Sequence, residues 1–335
     1  MSQDRTLRPG ARAAGALLLA ALAVLNLAWI IRDFEKAATV TDAWWMWSGL
    51  LFRAQDGIWA SSFVEPTLLV LYTVCAVTVV LSSSAAGVMV SAGVLTVVLR
   101  VPTLWNLNAS WVQGGVSDGL RNKVLFSAVA MLVLAVALVV TAVSGRRPAA
   151  EAGPDDEGDG SSVFSSTRDE APAPPTSRGG FAASLLLGAT VVLLVSWEIH
   201  SWNEQGWKLY SRHFTGDRSL VTLLAVPESW YGWALALLSL TASVAACKHA
   251  RFSRPLGMIV SAPLLGLGLF HLSFAAKAGL LEDVGVLALR DQLRLCTAVF
   301  EIVAAFAVLA ALAGRGGQST GAEPHSGPIG SLSSA

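Results

Sequence analysis

Five acidic side chains stand where an acid needs a reason. Glu301 lies inside an apolar run, between Phe300 and Ile302. A charged side chain at that depth in a bilayer costs roughly 2.5–3.5 kcal/mol on insertion scales, so it must face a bundle interior, keep a proton or meet a cation. Asp33, Glu65, Glu198 and Glu228 fall at the ends of apolar runs; Glu198 follows Trp197, and Glu65 and Glu228 each sit beside a proline. A carboxylic acid in apolar surroundings resists ionisation and can donate a proton. Glu198 and Glu65 are the first choices for such a donor, since each stands at a helix end beneath a Trp-rich loop. Glu228, Asp33 and Glu301 complete the candidate set. Arg100 and His271 occupy nearly corresponding places in two similar segments. Arg100 is a candidate counter-charge for Glu301 or for a bound anion.

The tryptophans narrow the chemistry. All 12 fall toward one side of the expected bundle. An interfacial belt of Trp normally marks both membrane faces. A one-sided set instead suits an aromatic-lined cavity whose ring faces stabilise positive charge. Trp29, Trp197, Trp202, Trp230 and Trp233 are the candidate substrate-binding aromatics, with Arg100 and His271 beside them. The run Trp44–Trp59 is amphipathic and reads as a segment lying along the membrane surface, part of a lid.

The elements that position these groups are transmembrane helices. The chain is 54% hydrophobic and only 14% charged, which excludes an ordinary soluble domain. Eight apolar stretches approach or exceed the length needed to cross about 30 Å of hydrocarbon. They run near Ala13–Ile31, Thr67–Leu81, Ala85–Trp105, Val124–Val143, Phe181–Ile199, Tyr231–Ala246, Leu256–Ala276 and Leu293–Leu312. The second and sixth are short and are expected to begin earlier, inside the preceding loops. The fold class is therefore all-α, a polytopic integral membrane protein.

The chain also repeats itself. Leu17–Trp29 (LLLAALAVLNLAW) aligns with Leu185–Trp197 (LLLGATVVLLVSW), and Gly87–Leu95 aligns with Gly257–Leu265. The reading is two tandem parallel four-helix repeats, over 1–145 and 181–315, joined by a disordered cytoplasmic linker at 146–180 and followed by a disordered tail at 316–335. Arginines beside the inner helix ends place both termini in the cytoplasm of a multi-pass plasma-membrane protein. The Ala-, Val-, Arg- and Gly-rich composition suits a bacterial chain of high GC content.

Several chemistries lack their motifs. There is no HExxH, CxxC, P-loop or GxSxG, so neither a metal nor a cofactor is expected. The three cysteines read as small buried hydrophobes. Zero net charge predicts no nucleic-acid partner. The expected partners are a lipid-soluble small molecule and membrane lipids. An apolar bundle with poised acids and aromatic faces is what acid-initiated isoprenoid cyclisation requires. In general character it is similar to integral-membrane terpene cyclases, without a motif that establishes membership. The alternative is a transporter, immunity or envelope-assembly protein that binds an amphipathic molecule without chemistry.

Overall fold

The computed structural model describes residues 5–52, 54, 55, 58–107, 116–148, 174–217 and 222–314. Eight helices in it are long and apolar enough to cross a membrane. They are α1 (Pro9–Lys36), α3 (Val64–Leu81), α4 (Ala85–Asn106), α5 (Asp118–Ser144), α6 (Ser177–Thr215), α7 (Glu228–Cys247), α8 (Ser253–Lys277) and α9 (Leu289–Ala313). The short α2 (Val40–Trp47) lies between α1 and α3. Arg5–Leu7 and Arg146–Pro148 form a three-residue antiparallel ribbon. The second and sixth spans do begin earlier than their apolar cores, at Val64 and Glu228. Most of the expected linker and all of the expected tail lie outside the described residues, but 177–180 of that linker are already the first turn of α6.

Helix ends follow local chemistry. Pro9 opens α1, where its missing N–H is harmless. Thr39 and Asp42 form a capping box for α2. The side chain of Thr176 accepts from Gly179 N at the start of α6. α6 is 39 residues long and breaks within at Gly206, whose φ of 71° suits glycine. At about 1.5 Å per residue such a helix exceeds the hydrocarbon thickness, and the break lets its end turn aside.

Each half packs in the same order. In the first, α1 contacts α3 and α5, and α4 contacts α3 and α5; in the second, α6 contacts α7 and α9, and α8 contacts α7 and α9. The halves meet where α8 lies against α3 and α4, and α4 against α7. Close approach there depends on small residues: a methyl added at Gly87 would strike Pro255, and one at Gly266 would strike Thr67. Buried leucine, alanine and valine from both halves make one continuous core. The outer surface is apolar too, with Leu17, Val70, Phe126, Val133, Phe181, Val192, Val303 and Phe306 exposed. So much uncovered apolar surface suits lipid rather than water.

The polar core of the first half is an ionic knot. Arg100 Nη1 lies 2.6 Å from Glu65 Oε1, with both side chains fully buried. Arg100 also donates from Nη2 to Asn26 Oδ1 at 3.0 Å and from Nη1 to the Leu224 carbonyl at 3.3 Å. Glu65 accepts from the Ser62 hydroxyl at 2.9 Å and from its backbone N–H. Asp33 accepts from Ser61 N at 2.6 Å and Ala60 N at 3.2 Å, beside Arg32 at 2.6 Å. The segments before α3 and α7 are then stitched together, Leu223 N to the Trp59 carbonyl at 3.1 Å and Leu224 N to that of Ala60 at 2.9 Å.

Breaking a buried pair by removing one partner costs about 3–5 kcal/mol, because the other charge stays uncompensated. Glu65→Gln is therefore expected to lower the thermal unfolding midpoint in detergent strongly. The double variant Glu65→Leu/Arg100→Met is expected to lose less than Glu65→Gln alone. Equal losses would mean the two charges do not depend on each other.

Candidate functional site

The second half holds a cavity of about 380 Å³, within the range of roughly 300–1,000 Å³ common for small-molecule sites. Its walls come from four helices: Leu194, Trp197, Glu198 and Ser201 of α6; Glu228, Tyr231 and Gly232 of α7; Leu267, Phe270, His271 and Phe274 of α8; Arg294, Leu295, Thr297, Ala298 and Glu301 of α9. Trp47, Ser48, Gly49 and Phe63 of the first half complete it. The cavity is thus not shared evenly between the halves. It belongs to α6–α9 and is roofed by α2 and the turn after it.

The roof is fastened by its tryptophans. Trp44 Nε1 donates to Ser273 Oγ of α8 at 2.8 Å, and Trp47 Nε1 donates to Ser61 Oγ at 3.0 Å. Lys277 Nζ sits 4.9 Å from the centre of the Trp45 ring. Gly49, with a φ of 99°, turns the chain directly after α2, a conformation that side chains with a Cβ avoid. Phe63 meets Tyr231 edge-on at 5.3 Å and Phe270 at 5.9 Å between ring centres. These rings form a continuous aromatic wall.

Glu301 lies in the wall with 2% of its surface exposed. Its Oε2 has no hydrogen-bond partner among the described residues. The nearest basic group is His271 Nδ1 at 3.8 Å, on a side chain 58% exposed. α9 and α8 bring these groups together because Gly268 of α8 lies against the α9 backbone: a methyl there would press on Ala298 O and Glu301 Cβ. Glu198 is buried as well, and its Oε2 accepts from the Tyr210 hydroxyl at 2.9 Å. Trp233 Nε1 in turn donates to that hydroxyl at 2.6 Å. Gly232 makes room for the Glu198 carboxyl, since a methyl at that position would overlap Oε1. Trp197 is fixed by donating from Nε1 to Thr297 Oγ1 at 3.1 Å, and Arg294 lies over its ring at 5.4 Å.

The sequence candidates divide clearly. Glu198, Glu228, Glu301, Trp197 and His271 line the cavity. Glu228 does so at the rim, 79% exposed and 3.7 Å from His213. Asp33, Glu65 and Arg100 do not line it. Asp33 and Glu65 are held in the first half, and Arg100 is the counter-charge of Glu65 rather than of Glu301. Trp29 donates to Ser127 Oγ at 3.0 Å on α5, and Trp230 donates to the Val98 carbonyl at 2.9 Å, tying the halves together. Trp202 stacks on Tyr210 with ring centres 6.1 Å apart, and Trp233 acts through the same tyrosine. Of the cysteines only Cys75 is buried; Cys247 and Cys296 are exposed, on helices whose outer faces suit lipid.

Reasoning from the sequence missed Tyr210, Gly232, Phe63 and Phe270. Tyr210 has no local signal, since it reaches Glu198 only because α6 turns after Gly206. Phe270 aligns with Arg100 at the offset of the Gly87–Leu95 match, a substitution that could have drawn notice. Among the described residues no group of three His, Cys, Asp or Glu side chains is placed to hold a metal ion. No protein-family model, curated protein or solved structure matches this chain. The reading of the site therefore rests on its own geometry.

Gly232→Ala should force the Glu198 carboxyl from its place, with an overpacking loss of about 1–3 kcal/mol. Adding Glu198→Ala removes the obstacle and should restore most of that stability. A thermal-unfolding double-mutant cycle measures the coupling, and additive losses would show that the two side chains do not collide.

Proposed function

We propose that this chain is an intramembrane enzyme acting on a lipid-soluble substrate, with acid-initiated cyclisation of an isoprenoid as the reaction the cavity suits best. The observation that carries the proposal is the Glu301 carboxyl, buried in the wall of a partly aromatic cavity, with an Oε2 that accepts no hydrogen bond among the described residues. A carboxyl group so placed can serve as a general acid toward a substrate in the cavity. In the first step the π electrons of a carbon–carbon double bond accept the Glu301 proton and a carboxylate remains. A second double bond of the same molecule then attacks the carbocation, closing a carbon–carbon bond. Loss of a proton from the carbon beside the final cation, to the Glu301 carboxylate or to His271, forms a new double bond. The net reaction is an isomerisation and consumes no oxidant or reductant. Phe63, Tyr231 and Phe270 offer ring faces to the migrating charge, each contributing roughly 0.5–2 kcal/mol.

In this reading Glu301 replaces Glu198 and Glu65 as the first choice of donor. Glu65 already has Arg100 as its partner, and Glu198 holds a hydrogen bond from Tyr210. Glu301→Gln preserves shape and removes the acidic proton. Purified full-length protein incubated with linear isoprenoids is expected to give cyclic products by gas chromatography and mass spectrometry, and the variant to lose at least 100-fold in rate, the lower end of general-acid contributions of about 10²–10⁴. Substrate binding without product in the native protein would instead favour a carrier or assembly protein that performs no chemistry.

We also read the chain as two tandem four-helix repeats in the same membrane orientation. The aligned segments support this, as does a similar pair of hydrogen bonds one residue out of register, Trp29 to Ser127 and Trp197 to Thr297. The proposed setting is the plasma membrane with both termini cytoplasmic, supported by the arginines beside the inner helix ends. In a chain with Cys75, Cys247 and Cys296 replaced by alanine, a cysteine at Glu282 should react with impermeant thiol reagents in intact cells. One at Lys248 should react only after lysis. The reverse pattern would invert the topology.

A further inference from the structure

The other deeply buried acids in the described chain each have an arginine. Asp33 meets Arg32 at 2.6 Å and Glu65 meets Arg100 at 2.6 Å. The two buried acids of the cavity, Glu198 and Glu301, have no lysine or arginine in ion-pair range among the described residues. Burying a carboxylate without a partner is among the more expensive things a protein can do, and the same chain avoids it twice elsewhere. Arg294, the arginine that lines the cavity, lies instead over the Trp197 ring. His271 is 3.8 Å from Glu301 Oε2, beyond hydrogen-bond length, and mostly exposed. The charged groups around the cavity are therefore biased to one sign: Glu198, Glu228, Asp291 and Glu301 against Arg294.

Three features of this cavity favour a cation over a neutral or anionic guest. Glu301 lines the cavity, and its buried Oε2 accepts no hydrogen bond among the described residues. The walls offer Phe63, Tyr231 and Phe270, whose ring faces attract positive charge. The acids at the rim, Glu228 and Asp291, concentrate cations at the mouth. An anionic headgroup would instead meet four acidic side chains against one arginine.

We infer that the cavity binds amphiphiles carrying a positive charge, with lipophilic amines as the chemical class: the ammonium group takes the place of the missing arginine beside Glu301 and Glu198, and the apolar part lies against the aromatic wall. The inference uses the cavity of the proposed enzyme but not its chemistry. A carbocation formed during cyclisation would present the same charge at the same place, so a stable amine is also expected to compete with a cyclisation substrate.

The test compares geranyldimethylamine with the neutral hydrocarbon in which CH replaces the nitrogen. Full-length protein in lipid nanodiscs is equilibrated with each radiolabelled probe, and binding is counted above empty nanodiscs. The amine is expected to bind at least tenfold more tightly than the hydrocarbon. Glu301→Gln should remove most of that preference and Glu301→Gln/Glu198→Gln all of it, with unfolding midpoints unchanged as the check on folding. Equal binding of the two probes to native protein, or a preference that survives in the double variant, overturns the inference. The outcome is separable from the enzyme reading: amine selectivity without product retains the cation site and rejects the cyclase, whereas product without amine selectivity does the opposite.

Discussion

A guanidinium group with no exposed surface, set in an apolar bundle, governs much of this structure. Arg100 needs a counter-charge at that depth, and its two terminal nitrogens, though not Nε, find partners among the described residues: Glu65 on α3, Asn26 on α1 and the Leu224 carbonyl of the other half. Those bonds fix the rotation of three helices about their own axes. They also fix where the segment before α7 must run, and with it the position from which Glu228, Tyr231 and Gly232 reach the cavity. The knot is remote from the proposed chemistry, yet the geometry of the cavity wall leans on it.

The two halves answer the same packing problem differently. In the first, the space between four helices is filled by an ion pair and its hydrogen bonds. In the second, Phe270 aligns with Arg100, Leu194 with Asn26 and Glu301 with Leu132. Phe270 lines an open cavity, whereas Arg100 is packed among its partners. The buried acids of the second half, Glu198 and Glu301, have no arginine in ion-pair range among the described residues, and the cavity lies beside them.

Much of this architecture was legible from the sequence because hydrocarbon imposes a simple rule. Backbone polar groups must be satisfied internally, so long apolar runs become helices, and each of the eight apolar runs falls inside a helix. The ends were less legible where capping and kinks decide them, as at Ser177 and beyond Gly206. Among the acids, a sequence tells that Glu65 and Glu301 are costly, but not which of them meets Arg100. That pairing depends on helix rotation and on a separation of 35 residues along the chain. Tyr210 was invisible for the same reason: its contact with Glu198 exists only after a positive-φ glycine has turned the helix.

The roof over the cavity belongs to the half that does not hold the acids. Trp47, Ser48 and Gly49 precede Glu301 by most of the chain, and they reach it only through the docking of α2 on α8. Two separate polypeptides would have to find each other before any cavity was closed, and some would pair wrongly or stay open to water. A single chain sets the ratio at one cover per cavity and makes the encounter intramolecular. Covalent continuity between the halves thus acts as a guarantee of stoichiometry, so that no acid-bearing half is made without its lid.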